Sequence, residues 1–136
     1  MRSLILWSIL AAVTVAGAPP ACGKNAKQKR EAAYQSTLQS YTAVLKPGMT
    51  RKNVEDYLRA KGASFFQEGG GTFADDNAFA DLTKIGNEKH PWYCSEHAVY
   101  IAFRFAAVFD PTGLLPRSDR DILKSITVYH QLEVCL

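Results

Sequence analysis

The sequence predicts an α+β domain in which two N-terminal helices pack on an antiparallel sheet of about four strands, after a signal peptide. Apolar residues recur at helical spacing as far as residue 58 and alternate at strand spacing from residue 64 onward. The 115 residues that follow residue 21 are enough for one domain but not for two. We therefore expect a single folded unit behind a targeting segment.

The N-terminus has the build of a secretory signal. Arg2 gives a positive start, and residues 4–18 are apolar or small apart from Ser8 and Thr14. Fifteen such residues are too few to cross a bilayer, because a spanning helix needs about 20. We predict that residues 1–21 are a signal peptide and that the chain is exported.

Cys22 lies where this apolar segment ends, and the arrangement resembles bacterial lipoproteins, in which that cysteine is lipidated. The prediction is a lipid-anchored protein of the cell envelope, facing the periplasm or the exterior. Cleavage after Ala18 is the alternative, and it would give a soluble periplasmic or secreted protein with an odd cysteine. A third interpretation is that the segment stays uncleaved and anchors the chain.

Basic residues cluster directly after Cys22, at Lys24, Lys27, Lys29 and Arg30, whereas residues 31–136 hold 11 basic and 13 acidic groups. We predict a lipid-anchored basic tether over residues 22–32 and a single domain over 33–136. Lysines beside an anchor are able to contact anionic headgroups, but the run is short, which favours a soluble tether. The membrane is expected as a partner through the lipid, and nucleic acid is not.

Two helices are predicted after the anchor. The first carries an apolar face at spacings of four, three and four, formed by Tyr34, Leu38, Tyr41 and Leu45. The pair Pro47-Gly48 ends it, and Thr50 is placed to cap the second helix, which Gly62 stops.

Four strands are expected beyond Gly62, at residues 64–67, 80–85, 99–105 and 126–134. In the third, Val99, Ile101, Phe103 and Phe105 share one face and Tyr100, Ala102 and Arg104 the other, which predicts a strand with one buried face. Loops are predicted at 69–77 and 114–120, with a turn at 110–113. The glycines at 69–71 lack a lysine in register for a phosphate cradle, so no nucleotide cofactor is expected.

The segment KPGMTRKNVEDYL, residues 46–58, resembles the signature of small envelope lipoproteins of the SmpA/OmlA (BamE) family, which have a β-lactamase-inhibitor-protein-like fold. In physical terms, Met49 is placed to staple against the second helix, and Val54 starts its buried face. The resemblance implies two helices before a small antiparallel sheet and a noncatalytic adaptor that binds an envelope protein. The resemblance identifies no residue of this chain as one that contacts a partner.

Residues 88–97 hold the densest chemistry in the chain, and three interpretations compete. His90, Cys94 and His97 have donors that suit zinc, with Glu88 or Glu96 nearby, but their spacing matches no strong zinc pattern. Cys94 is also a candidate nucleophile, with His97 or His130 as its base.

The favoured interpretation is a disulfide between Cys94 and Cys135, because an oxidising compartment allows the two distal cysteines to pair. The start of the third strand lies beside the end of the fourth if the two are antiparallel. His90 and His97 are then expected as exposed loop residues, and Trp92 is expected in the core. Trp92, Tyr93 and His97 remain the candidate binding residues.

The function predicted from these observations is a noncatalytic protein-binding or assembly module of the bacterial cell envelope, without cofactor or metal. Its partner is expected to be another envelope protein. A small envelope hydrolase or metal-dependent enzyme that uses Cys94, His97 and His130 is the alternative.

Overall fold

A computed structural model describes residues 22–68, 78–107 and 118–136. The predicted signal peptide, the glycine-rich loop and the turn at 110–113 lie outside the described residues, as do the side chains of Cys22 and Lys24.

The predicted α+β arrangement of two helices and an antiparallel four-stranded sheet is confirmed. In chain order the elements are α1 (Cys22–Val44), α2 (Arg51–Ala60), β1 (Phe66–Glu68), β2 (Ala78–Glu88), β3 (Cys94–Ala106) and β4 (Ile122–Cys135). Among the described helices, none is long and apolar enough to span a membrane.

Helix α1 begins earlier than the sequence indicated, because residues 22–32, expected as a tether, form its first turns. Lysine, glutamine and alanine are good helix formers, so the basic run extends the helix without a break. The predicted apolar face is present, with Tyr34, Tyr41 and Leu45 buried. The basic residues therefore lie in the first turns of the same helix that carries the buried face.

Helix α2 has the predicted cap. The Thr50 side chain accepts a hydrogen bond from Asn53 N at 3.3 Å, which satisfies one of the free donors in the first turn. Gly62 follows the helix with a φ of 69°, a left-handed conformation that glycine adopts at little cost. The 10-residue helix buries Val54 and Leu58 against the sheet.

The sheet has the strand order β1-β2-β3-β4, and all neighbours are antiparallel. Strands β2, β3 and β4 are each longer than predicted, with 11, 13 and 14 residues. Bulges interrupt the ladders at Ile85 in β2 and at Lys124 in β4. Strand β4 lies at one edge of the sheet, and β3 lies in its interior.

Both helices pack on the same face of the sheet. Their buried residues form one core with Ile101, Phe103 and Phe105 of β3 and Leu123 of β4. The Tyr41 ring meets the Phe103 ring edge-on, with a centroid distance of 5.3 Å. This core fixes the position of α1 along β3.

The opposite face of the sheet corrects the prediction that β3 has only one buried face. Tyr100 and Ala102 are buried there, in a cluster of strand residues that includes Leu82. Tyr129 packs against this cluster, and the Phe66 ring meets the Tyr100 ring edge-on at 5.5 Å. Alternation places Ala102 on the outer face of β3, but a small side chain is buried when large rings lie over it.

A buried charge centre joins α2 to the sheet. The Arg51 guanidinium lies 2.8 Å from Asp81 Oδ1 and 3.1 Å from Asp121 Oδ2, and all three side chains are at most 1% exposed. The guanidinium also stacks over the Phe105 ring, 4.1 Å from its centroid. Arg51 N donates to the carbonyl of Asp121 at 2.7 Å. We call this region the Arg51 end of the sheet.

Candidate binding surface at the disulfide end

Cys94 and Cys135 are joined by a disulfide with an S–S distance of 2.04 Å. They face each other in the register of β3 and β4, at the end of the sheet opposite the Arg51 end. The pairing predicted from sequence is thus present. We call this region, with the loop of residues 89–93, the disulfide end.

Hydrogen bonds tie the loop before β3 to the last residues of β4. Leu136 N donates to the carbonyl of Tyr93 at 2.9 Å, and the Ser95 hydroxyl donates to the carbonyl of Glu133 at 3.0 Å. Cys94 N donates to the carbonyl of Pro91 at 3.0 Å. The covalent bond and these hydrogen bonds make the disulfide end a fixed surface.

Val134 has a φ of 39°, a left-handed conformation that β-branched residues rarely adopt. Such backbone costs on the order of 1–3 kcal/mol and persists only where the surroundings hold it. Here the hydrogen bond to Glu133 lies before Val134, and the disulfide and the Leu136 hydrogen bond lie after it. The disulfide and these two hydrogen bonds therefore hold Val134 in its strained conformation.

The disulfide end exposes large apolar side chains. Trp92 is 90% exposed, which corrects the prediction that it lies in the core, and Val134 is 79% exposed. Tyr93 and Leu136 are exposed as well. The loop carries Trp92 beyond the end of the sheet, where its ring meets only the Tyr93 ring among the described aromatic residues, edge-on at 5.9 Å. Exposed large apolar side chains grouped at one end of a sheet are typical of an interaction site.

His97 was expected in an exposed loop, but it lies within β3 and is partly buried. Its ring meets the His130 ring of β4, with centroids 5.4 Å apart, and the Tyr34 ring of α1 also meets the His130 ring, with centroids 6.2 Å apart. These rings close the helix–sheet interface near the disulfide end. His90, by contrast, is exposed as predicted.

The structure does not bring together the proposed nucleophile and its base. Cys94 and His97 are three residues apart on one strand, so their side chains point to opposite faces of the sheet. The Cys94 sulfur is also bonded to Cys135, and the thiolate is the nucleophilic form of cysteine. The geometry therefore gives Cys94 no access to His97 or His130 while the disulfide is intact.

The carboxylates considered as metal donors are engaged by basic side chains. Arg30 Nη2 lies 3.1 Å from Glu88 Oε2, and Lys84 Nζ lies 2.6 Å from Glu96 Oε1. The hydrogen bond from Arg30 lowers the pKa of Glu88, and that from Lys84 lowers the pKa of Glu96. Within the described ranges, no group of three or more His, Cys, Asp or Glu residues could hold a metal ion.

The contact between Arg30 and Glu88 was not predicted from sequence. It crosses 58 residues of chain and fixes α1 beside the last residue of β2. Arg30 and Glu88 also line an open hollow with Asn87, Lys89 and His90. The only sequence signal was the position of Arg30, four residues before Tyr34 on the same helical face.

The buried Arg51 centre was also missed, although it left a sequence signal. Asp81 interrupts the apolar run of residues 78–82, and a carboxylate at such a position needs a charged or hydrogen-bonding partner when buried. Nothing in the sequence indicated that Arg51, 30 residues earlier, was that partner. The pairing depends on how α2 docks.

Comparison with known proteins yields no relative, since no family model, no curated protein and no solved structure matches the chain.

Proposed function

We propose that the protein is an exported, lipid-anchored and noncatalytic protein-binding module of the bacterial cell envelope. The sequence features behind this are the signal-like N-terminus, Cys22 at its end, and the SmpA/OmlA-like segment of residues 46–58. Two paired cysteines in the folded part fit an oxidising compartment. The observation that carries the binding function is the open edge of β4.

Among the described strands, β4 has one neighbour, β3, and is the longest strand with 14 residues. Its outer edge is covered only at its start, where Met49 and Gly48 exchange backbone hydrogen bonds with Leu123, within the part of the chain that the structure describes. Beyond that point Thr127 and His130 are exposed, and Leu132 is 48% exposed. Natural proteins usually shorten or cover such an edge, because its backbone groups can pair with another chain.

The partner we propose for this edge is an extended segment of another envelope protein that adds a strand beside β4. Backbone hydrogen bonds give affinity in this mode, and side chains that alternate along the edge give selectivity. Thr127 and His130 are exposed side chains along this edge that a partner strand would meet. This mode needs no catalytic residue, cofactor or metal.

The edge proposal is tested with a photo-crosslinking residue in place of Thr127 in cells that produce the full chain. The expected result is one crosslinked product of defined mass from position 127. The matched control carries the same residue in place of Ser64, which is exposed and lies just before β1, the strand at the opposite edge of the sheet. Equal products from both positions, or none from position 127, would contradict binding at this edge.

The anchor is tested separately by the mass of the protein purified from the envelope. A diacylated or triacylated N-terminal Cys22 is expected, and Cys22→Ser is expected to release the protein from the membrane fraction. A mass that corresponds to cleavage after Ala18 would show a soluble protein instead. A free Cys94 thiol with stoichiometric zinc in the same sample would favour the enzyme alternative.

A further inference from the structure

We propose that the disulfide end is a membrane-contacting surface that rests its aromatic loop on the bilayer that holds the lipid anchor. This inference rests on the proposed lipidation of Cys22. The occupant of the exposed apolar patch is then the bilayer interface rather than a protein. Trp92, Tyr93, Val134 and Leu136 form that patch.

The position of α1 along the sheet carries the argument. Tyr41 packs on Phe103, and eleven residues earlier Arg30 pairs with Glu88, whose register partner is His97. Those eleven residues span about 16 Å of helix. The six residues from Phe103 to His97 span about 20 Å of strand. The helix and the strand thus run alongside each other in the same direction and cover similar distances.

Distances along the helix and the strand also place the start of α1 level with the disulfide. Cys22 lies eight residues before Arg30, which is about 12 Å along the helix. Cys94 lies three residues before His97, which is about 10 Å along the strand. The backbone at Cys22 is therefore level with the disulfide end. Because α1 is helical from Cys22 onward, no flexible tether separates the proposed anchor from this end of the domain.

The chemistry of this end suits a lipid interface. Tryptophan and tyrosine concentrate at the level of the headgroups, where an apolar ring with a polar tip is well solvated. Trp92 is more exposed than any large hydrophobic residue of the domain except Leu136, among the side chains that the structure describes. A surface this exposed in water gains contact when the anchor brings it against a bilayer.

The charges at this end favour a lipid surface with some anionic headgroups. Lys27 and Lys29 on α1 and Lys89 in the loop are exposed. Two carboxylates near this end are paired with basic side chains, Glu88 with Arg30 and Glu96 with Lys84. Basic groups near an anionic surface are attracted within about a Debye length. The basic run therefore acts at the membrane rather than as a soluble tether.

Trp92 itself reports the contact, because after residue 21 the chain holds no other tryptophan. The purified envelope protein is reconstituted in vesicles of phosphatidylcholine with a minor fraction of phosphatidylserine, with or without bromine on the acyl chains. The expected result is a blue shift and a loss of Trp92 fluorescence of about twofold or more with brominated lipid, for a ring buried roughly 5–10 Å into the interface. Protection from aqueous iodide is expected to accompany it.

The matched control moves the reporter to the other end of α1. Val44 is 51% exposed at the last residue of that helix, about 33 Å from Cys22. A chain that carries Val44→Trp and Trp92→Phe is expected to remain unquenched by brominated lipid and open to iodide. Quenching at both positions would mean that the domain has no fixed orientation, and it would overturn the proposal.

Failure of this inference is distinguishable from failure of the proposed function. An acylated Cys22 with an unquenched, iodide-accessible Trp92 would overturn the membrane surface and leave the anchor intact. An unacylated chain whose Trp92 is quenched by added vesicles would support the surface and contradict the anchor. An unacylated chain with an unquenched Trp92 would overturn both.

Discussion

The two ends of the sheet are held by different means. At the Arg51 end, one guanidinium and two carboxylates are buried together, and backbone hydrogen bonds join α2 to the segment before β4. At the disulfide end, a covalent bond joins β3 to β4, and the large side chains nearby are exposed. Packing and buried charges hold the Arg51 end together, and a covalent crosslink holds the disulfide end together.

This difference separates stability from surface chemistry. Burial of apolar area is the usual source of stability, so an end that exposes its aromatic residues loses that contribution. A disulfide acts mainly by restricting the unfolded chain, and its contribution does not depend on covering those residues. The crosslink therefore holds the disulfide end together while its large apolar side chains stay exposed.

The largest expected effect comes from breaking the charge centre with Arg51→Met. Methionine keeps an unbranched apolar side chain but removes the guanidinium that lies over the Phe105 ring and pairs with Asp81 and Asp121. Removal of one partner of a buried ion pair costs about 3–5 kcal/mol of unfolding free energy. Urea unfolding followed by circular dichroism measures it.

The control for Arg51→Met is the neighbouring substitution Lys52→Met. Lys52 pairs with Asp56 at 2.5 Å, but both side chains are at least half exposed. Exposed pairs contribute little because water solvates the separated charges. Equal losses in the two variants would mean that burial of the Arg51 centre has no special role in stability.

Opening the disulfide is expected to cost somewhat less. The Cys94→Ser and Cys135→Ser double variant removes a crosslink between residues 41 apart, which contributes about 2–4 kcal/mol. Amide hydrogen exchange is expected to accelerate more near Ser95 and Glu133 than near Asp121. The comparison of the two ends would be wrong if exchange accelerated equally along β4.

A smaller effect is expected from Gly86→Ala, which tests how α1 seats near the disulfide end. A Cβ at position 86 would lie 2.9 Å from Cε1 of the buried Tyr34 ring. Overpacking of this kind costs about 1–3 kcal/mol, because the ring or the helix must shift. Chemical denaturation measures the loss.

A double-mutant cycle with Tyr34→Leu shows whether the Tyr34 ring is responsible. In the Tyr34→Leu background the added methyl has room, so the cost of Gly86→Ala is expected to fall. An unchanged cost in that background would place the strain in the backbone of β2 rather than at the Tyr34 contact.

The smallest effect concerns pH and the Arg30–Glu88 pair. The pKa of Glu88 is lowered from its ordinary value of 4.5, first by the hydrogen bond from Arg30. A lowered folded-state pKa stabilises the fold at pH above 4.5, and this contribution is lost as pH falls through the folded value. The difference in unfolding free energy between wild type and Glu88→Gln is expected to shrink on acidification over that range.

Arg30→Gln provides the check on this pH dependence, because Arg30 itself does not titrate there. It is expected to remove the same acid-dependent contribution as Glu88→Gln. If the pH profile of Arg30→Gln matched that of wild type, another group would be responsible for the lowered pKa of Glu88.

Sequence periodicity predicted the elements because it reflects local geometry. The face of Tyr34, Tyr41 and Leu45 and the Thr50 cap follow from the helical repeat and from side-chain chemistry within one turn. The Cys94–Cys135 pairing followed from an antiparallel register. These features need only neighbours in sequence or a single strand pairing.

Local pattern failed where exposure depends on what another element covers. Trp92 is a large ring and was expected in the core, but its loop runs past the end of the sheet. His97 continues β3 because that strand begins at Cys94, so its ring lies against His130. Tyr100 belongs to the outward series of β3 yet is buried, because Phe66 of β1 meets its ring and Tyr129 of β4 packs against the same cluster.

The sequence by itself determined the class of the fold, the caps and turns around α2, and the pair of cysteines that close the sheet, because each depends on the periodicity or chemistry of short segments. Only the tertiary structure decided that Arg51 meets Asp81 and Asp121, that β4 is an edge strand among the described strands, and that Arg30 of α1 pairs with Glu88. These contacts join residues tens of positions apart, and their geometry is set by how whole elements pack.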